Sequence, residues 1–358
     1  MAKSGFTHKN APAIFDNKSE GGWALCVGAG ISLPVFPSWH TLICQLISLE
    51  KPGSDAKGLA DNLLKQFSPD AIIQATQDRL GKTDKEFADI LTNVLYSDIQ
   101  QKLSTKEFDL FTQGLSSHSG GMTRAQWIEF LSIFRIHYKN MNALSIAEVI
   151  NEVRDSCKRP SSIISFNAEP SFPALINALY REGLQNVTPP SNKQASGKKI
   201  LDLVTHSITS RNPTRIPVFF CHGLLPVPTS KVRHAQSVDK LVFSESEYLQ
   251  LSNNSFSWQS SVFIDVCVSN PVVFLGVSLT DSDMRKWLSW IHYNRVVEIQ
   301  KFNDRKGPST NHYWIQKRPS DEAEIPWIES AVAHLGIRLV WIDEWGQASA
   351  ALRRLIGI

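Results

Sequence analysis

The sequence contains no apolar run near the roughly 18 residues that a membrane-crossing helix requires. Its opening, MAKSGFTHKNAPAIFDN, is polar and holds no signal-peptide core, so a cytoplasmic protein is expected. Cysteine is sparse. Cys26, Cys44, Cys157, Cys221 and Cys267 are odd in number, scattered and mostly set in apolar runs. No two stand at Cys-x-x-Cys spacing, so neither a zinc ribbon nor a disulfide framework is supported. They read as buried thiols in a reducing compartment. An excess of one charge is also missing. The 37 basic and 34 acidic residues leave a formal charge of +3, which argues against a protein that coats nucleic acid. No internal repeat and no low-complexity tract is present.

What is present is an ordinary globular composition, 42% apolar and 20% charged over 358 residues. That length suits one large domain, or a domain with a sizeable insertion. Six short runs read as strands: 22–28, 162–166, 216–223, 271–277, 312–316 and 337–342. The first four are almost continuously apolar, as strands covered on both faces must be. Helical patterns separate them. One carries Met284, Trp287, Leu288 and Ile291 at helical spacing, and another, SAALRRLIGI, closes the chain. The alternation predicts an α/β, Rossmann-like doubly wound and mostly parallel sheet.

Residues 50–155 break that rhythm and read as a helical insertion, dividing a domain made of 1–49 and 156–358. Thr83 with Glu86, and Thr123 with Gln126, stand at capping-box spacing. Each opens an apolar stripe: Phe87, Ile90, Leu91, Val94 and Leu95 in one, Trp127, Phe130, Leu131 and Phe134 in the other. Packing faces explain both stripes. Segments 185–199 and 302–311 read as loops, and Lys198 with Lys199 as solvated surface.

In an open parallel sheet, ligands sit beyond the carboxyl ends of the strands. Four of the runs end in chemistry-bearing residues: Gly28, Ala29 and Gly30; Asn167 and Glu169; His222 and Gly223; Gly276, Ser278 and Asp281. Each has a plainer reading. The glycines suit any tight turn, with Leu33 where a third fingerprint glycine would stand. Asn167 suits a helix cap. His222 suits a core histidine held by a carbonyl, and Asp281 and Asp283 suit the first turn of a helix.

Together the pieces GAGIS (28–32), SFN with Glu169, CHG (221–223) and GVSL (276–279) resemble the sirtuin (silent information regulator) family of NAD-consuming enzymes. LPVFPSWHTLI, LVFSESEYLQL (241–251), FLGVSLTDSDMRKWL and the ending HLGIRLVWIDEW with LRRLI resemble its bacterial antiphage-defence branch. The resemblance implies NAD as substrate, with Gly28, Ala29, Gly30 and Ile31 presenting backbone N–H groups to the pyrophosphate. Gly276 and Ser278 are then expected on the adenosine side. Asn167 would orient a water or ribose hydroxyl, and His222, an imidazole titrating near working pH, would take the proton. Glu169 stands where the family has aspartate, one methylene longer, and is expected among the residues that contact the cofactor. The zinc ribbon of sirtuin deacylases has no counterpart here, so no zinc is expected and water is favoured over acyl-lysine as acceptor.

The expected activity is therefore NAD glycohydrolysis by a triggered defence effector that depletes NAD. An NAD-dependent protein deacylase, or a quiet subunit binding NAD or ADP-ribose, remains as an alternative. The resemblance further implies a homo-oligomer and a separate partner such as a HerA-type ATPase or an Argonaute-like protein, while the apolar pattern and the balanced charge lead to the expectation of no contact with membrane or directly with nucleic acid.

Overall fold

The structure, a computed structural model, describes residues 6–11, 13–14, 22–116, 122–183, 200–207, 211–228, 241–254, 257–301 and 312–358. The loops expected at 185–199 and 302–311 lie outside these, Lys198 and Lys199 included. The strands are β1 (Phe6–Thr7), β2 (Ala24–Val27), β3 (Ser162–Ser165), β4 (Leu201–Val204), β5 (Ile216–Phe220), β6 (Val272–Leu275), β7 (His312–Lys317) and β8 (Ile337–Ile342). They form one sheet in the order β1-β8-β7-β6-β2-β3-β5-β4. Every pairing is parallel, where a mostly parallel sheet was expected.

The six apolar runs all became strands. The two strands beyond them, β1 and β4, are the sheet's edges. The first is two residues long and the second buries only its ends, so neither carries a readable period.

The helices are α1 (Trp39–Glu50), α2 (Ala56–Leu63), α3 (Pro69–Leu80), α4 (Asp84–Lys102), α5 (Thr105–Ser116), α6 (Arg124–His137), α7 (Asn142–Val153), α8 (Ser171–Gly183), α9 (Glu245–Asn253), α10 (Trp258–Ser269), α11 (Ser282–Lys301), α12 (Ile325–Ala333) and α13 (Ala348–Ile356). No described helix is long and apolar enough to cross a membrane. Alternation along the strands assigns the two faces. Leu25, Val27, Ile163, Val218, Phe220, Val273 and Leu275 enter one core, with side chains of α1, α7, α8 and α13. Ala24, Cys26, Ile164, Phe219 and Phe274 enter the other, with α10 and α11.

Between 56 and 153 the described residues hold six helices and no strand. Both capping boxes form, Thr83 with Glu86 and Thr123 with Gln126. The stripes they start are buried apart from the half-buried Ile90, Phe130 and Phe134 completely. These rings join the core of the first sheet face, so the helical block and the sheet share one apolar interior. A Cβ on Gly114 of α5 would lie 2.3 Å from the Phe130 ring, leaving no room for a methyl group.

The five cysteines are free thiols. Cys26, Cys221 and Cys267 are buried, as expected, and burial pushes the Cys221 thiol up to about 12. Cys44 is half-buried and Cys157 is exposed, against the expectation of burial. Cys157 sits in the polar turn 154–159 that leads into β3, where no face of an element is available to cover it.

Candidate functional site

β2 is the point where the strand order reverses: the chain builds β3, β4 and β5 to one side of it, then returns to place β6 on the other. A crevice opens at such a point beyond the carboxyl ends. The register brings the motif residues there. Val27 pairs with Ser165 and with Leu275, and Ser165 pairs with Phe220. Gly28 and Gly276 therefore come one step past the sheet, and Asn167 and His222 two.

The two glycine turns interlock. Gly28 N–H donates to the Leu275 carbonyl at 3.2 Å, and Gly30 N–H donates to that of Gly276 at 3.0 Å. A Cβ on Gly28 would lie 2.7 Å from Gly276 O, and one on Gly276 would lie 2.5 Å from Ile31 N. Gly276 also has φ +68°, which a side chain disfavours. Ile31 and Ser32 N–H close a tight 3₁₀ turn on the carbonyls of Gly28 and Ala29. Of the N–H groups expected to face a pyrophosphate, those of Gly28, Gly30 and Ile31 are thus spent within the protein. Ala29, exposed at the turn's tip, has no backbone hydrogen bond from its N–H among the described residues.

Past Gly276, the exposed Ser278 hydroxyl bonds Thr280 at 2.7 Å. Leu279 is buried with φ +55°, a left-handed conformation that a branched side chain adopts only under constraint. Its neighbours supply that constraint. Trp314 Nε1 donates to Val277 O at 3.0 Å, and Arg285 donates to Leu279 O at 3.2 Å.

Asn167 and Glu169 stand together, both about 5% exposed. Asn167 Nδ2 donates to Ser32 Oγ at 3.0 Å and to Glu169 Oε1 at 3.1 Å. Ser32 Oγ donates to the same Oε1 at 2.6 Å, and Ser171 N–H donates to Oε2 at 2.6 Å. Burial raises the Glu169 pKa, opposed by these hydrogen bonds. Asn167 Oδ1, by contrast, is buried without a partner among the described residues, as are Ser171 Oγ and Tyr96 Oη. Tyr96 comes from α4. Its ring meets Phe36 edge-on at 5.3 Å, and Phe36 N–H donates back to Ser32 O.

His222 meets the Phe166 ring edge-on at 4.7 Å. Tyr248 of α9 covers it at 5.3 Å and brings its hydroxyl to 3.4 Å from Nδ1. Nε2 lies 3.7 Å from Asp281 Oδ2. Burial pushes the imidazole down to about 3, against an upward pull from the Asp283 carboxylate. The ring is therefore neutral at working pH and does not titrate near it, contrary to the expectation drawn from a free imidazole. Asp281 serves twice: Oδ1 accepts from the N–H groups of Asp283 and Met284, capping α11, while Oδ2 approaches the histidine. Burial raises the pKa of both Asp281 and Asp283.

Ser32, Tyr96 and Tyr248 join the rim without having been singled out for it, and Asp281, expected at a strand end there, faces the histidine as well as capping its helix. Ser32 is the last letter of GAGIS, and Asp281 had a sufficient explanation as a helix cap. Tyr248 lies within LVFSESEYLQL, but nothing in that stretch says which group it faces, and Tyr96 carries no motif signal; only the fold brings α9 and α4 to the carboxyl ends of the strands. Among the described residues, no group of three or more His, Cys, Asp or Glu could hold a metal ion.

Residues 184–339 match the family model described as the SIR2-like domain. The match contains His222, Gly276 and Ser278; strand pairing then adds the turn at Gly28 and Asn167 to the same rim. No curated protein matches the chain.

Proposed function

The chain is sirtuin-like, bearing a SIR2-like domain, and from that premise we propose that it is an NAD glycohydrolase releasing nicotinamide and ADP-ribose. One observation carries the reading: Asn167 and His222 stand at equal steps past the paired Ser165 and Phe220, beside the interlocked glycine turns. The unpartnered Asn167 Oδ1 is an acceptor suited to a ribose hydroxyl, a water or a carboxamide N–H. Close backbone approach at the exposed Ala29 suits a phosphate beside it.

In the reaction, the ribose C1′–nitrogen bond breaks and its electron pair stays with the nicotinamide ring. Water oxygen bonds to C1′, and the water's proton passes to the neutral imidazole of His222. The imidazolium then faces the carboxylates of Asp281 and Asp283, which stabilise the charge it gains. In the resting protein the ring is held buried and weakly basic by Phe166 and Tyr248, a state that suits an effector quiet until triggered. The resemblance to the antiphage-defence branch extends the proposal to NAD depletion by a homo-oligomer acting beside a separate partner.

The test is incubation of the purified chain with NAD, alone and with an acyl-lysine peptide, followed by chromatography. Nicotinamide and ADP-ribose are expected in equal amounts without peptide. Turnover only with peptide would make the chain a deacylase. Binding of ADP-ribose with no turnover under either condition, nor with a neighbouring gene product added, would make it a binding subunit.

A further inference from the structure

Glu169 accepts three hydrogen bonds on its two carboxylate oxygens, and two of the three donors belong to Ser32 and Asn167. Nothing in that arrangement leaves it turned toward a ligand. Its effect is instead on the neighbouring amide. Asn167 Nδ2 aims a proton at two acceptors that stand 2.6 Å apart, Ser32 Oγ and Glu169 Oε1. A half-turn of the amide would bring Oδ1 against the carboxylate, acceptor to acceptor, in a buried place where such a pair is strongly disfavoured. Only one orientation of Asn167 is therefore compatible with an ionised Glu169, and it leaves Oδ1 without a partner.

We infer that Ser32 and Glu169 are positioning residues which lock the Asn167 amide with its oxygen free, so that the site accepts a hydrogen-bond donor and rejects an acceptor. This rests on the reading of the rim as a dinucleotide site, and it moves Glu169 from contacting the dinucleotide to orienting the residue that does. The donor chemistry is shared by the ribose hydroxyls and by the carboxamide of nicotinamide. ADP-ribose carries only the former, NAD both.

Exchange of the two groups tests the inference. In Glu169→Gln the new amide can satisfy Ser171 N–H only by presenting its own N–H groups to Ser32 and Asn167. Asn167 then turns over and offers a donor to the ligand. Affinity is expected to fall about tenfold or more, the equivalent of one hydrogen bond replaced by a donor clash. Adding Asn167→Asp restores an acceptor, and the double variant is expected to recover most of the affinity. Calorimetry with NAD and with ADP-ribose reads this directly. Loss toward both ligands assigns the donor to ribose; loss toward NAD alone assigns it to the carboxamide.

Thermal unfolding without any nucleotide supplies an independent readout. Asn167→Asp alone places two carboxylates together and is expected to lower Tm, with the loss growing as pH rises. Adding Glu169→Gln is expected to reverse most of it. Wild-type affinity in Glu169→Gln, or a double variant no better than either single one in both assays, would overturn the inference. If wild-type protein neither binds nor cleaves NAD, the glycohydrolase reading fails, while the unfolding cycle still decides the amide's orientation.

Discussion

Gly30 N–H and Gly276 O meet at 3.0 Å, joining the turn after β2 to the turn after β6. Two strands that neighbour each other in the sheet, but lie some two hundred and fifty residues apart in the chain, are thereby stapled at the rim. The fit has no slack for a side chain on either turn.

Gly276→Ala is consequently expected to destabilise the fold by ~3 kcal/mol, combining a left-handed alanine with a backbone overlap at Ile31. Gly53 makes the control. It too has positive φ, but a Cβ there meets nothing within 4 Å, so Gly53→Ala should lose only ~1 kcal/mol. Urea unfolding of the two variants, with nicotinamide release measured alongside, separates strain from loss of the seat. Equal losses would mean that the turns are not interlocked.

His222→Ala and Asn167→Ala are expected to leave folded proteins whose nicotinamide release falls by ~10²–10⁴-fold. Circular dichroism checks the fold, and a fluorescent or chromatographic NAD assay checks the rate. Near-normal release by either variant removes that residue from the reaction.

The pH dependence of stability has a definite sign. His222 and His312 are both pushed down to about 3 by burial, and His312 Nδ1 accepts the Val272 N–H as only a neutral ring can. Their folded values lie below the unfolded 6.5, so the unfolded chain takes up protons that the native one does not. The stability they contribute is complete above pH 6.5 and is lost as pH falls toward 3. Each steepens the acid limb by ~1.4 kcal/mol per pH unit within that window. Glu169, Asp281 and Asp283 act the other way, since burial raises their values and favours the protonated native form at low pH. Comparing urea unfolding of wild type with His312→Gln between pH 7 and 4 isolates one imidazole. The variant should show the shallower fall, and parallel curves would contradict a neutral buried ring.

Within the helical block, Gly114→Ala is expected to lose ~1–3 kcal/mol by forcing the Phe130 ring aside. Combining it with Phe130→Leu should lose less than the sum of the two single changes. Additivity would show that the ring moves away freely, and with it that the block is loosely packed.

The fold was legible where burial is symmetrical. Strands such as β2 and β6, covered on both faces, must be apolar throughout, and that run is visible in a single sequence. The capping boxes at Thr83 and Thr123 were legible because their hydrogen bonds are local. The edges β1 and β4 were not, since pairing on one side demands little of composition. For the site, the motif residues gave the rim. The environment of each group was hidden: that Glu169 is held by Ser32, Asn167 and Ser171, or that His222 is sealed by Phe166 and Tyr248, depends on contacts between distant segments. A histidine's letter carries its free pKa, and only the rings around it reveal how far burial displaces that value.

The strict division of β2 side chains between two interiors also limits how this chain can change length. Deleting or adding one residue there would exchange Leu25 and Val27 for Ala24 and Cys26 and carry Gly28 out of reach of its partner. Insertions should therefore be survivable in the exposed turn around Gly53, and ruinous by even a single position between Trp23 and Ser32.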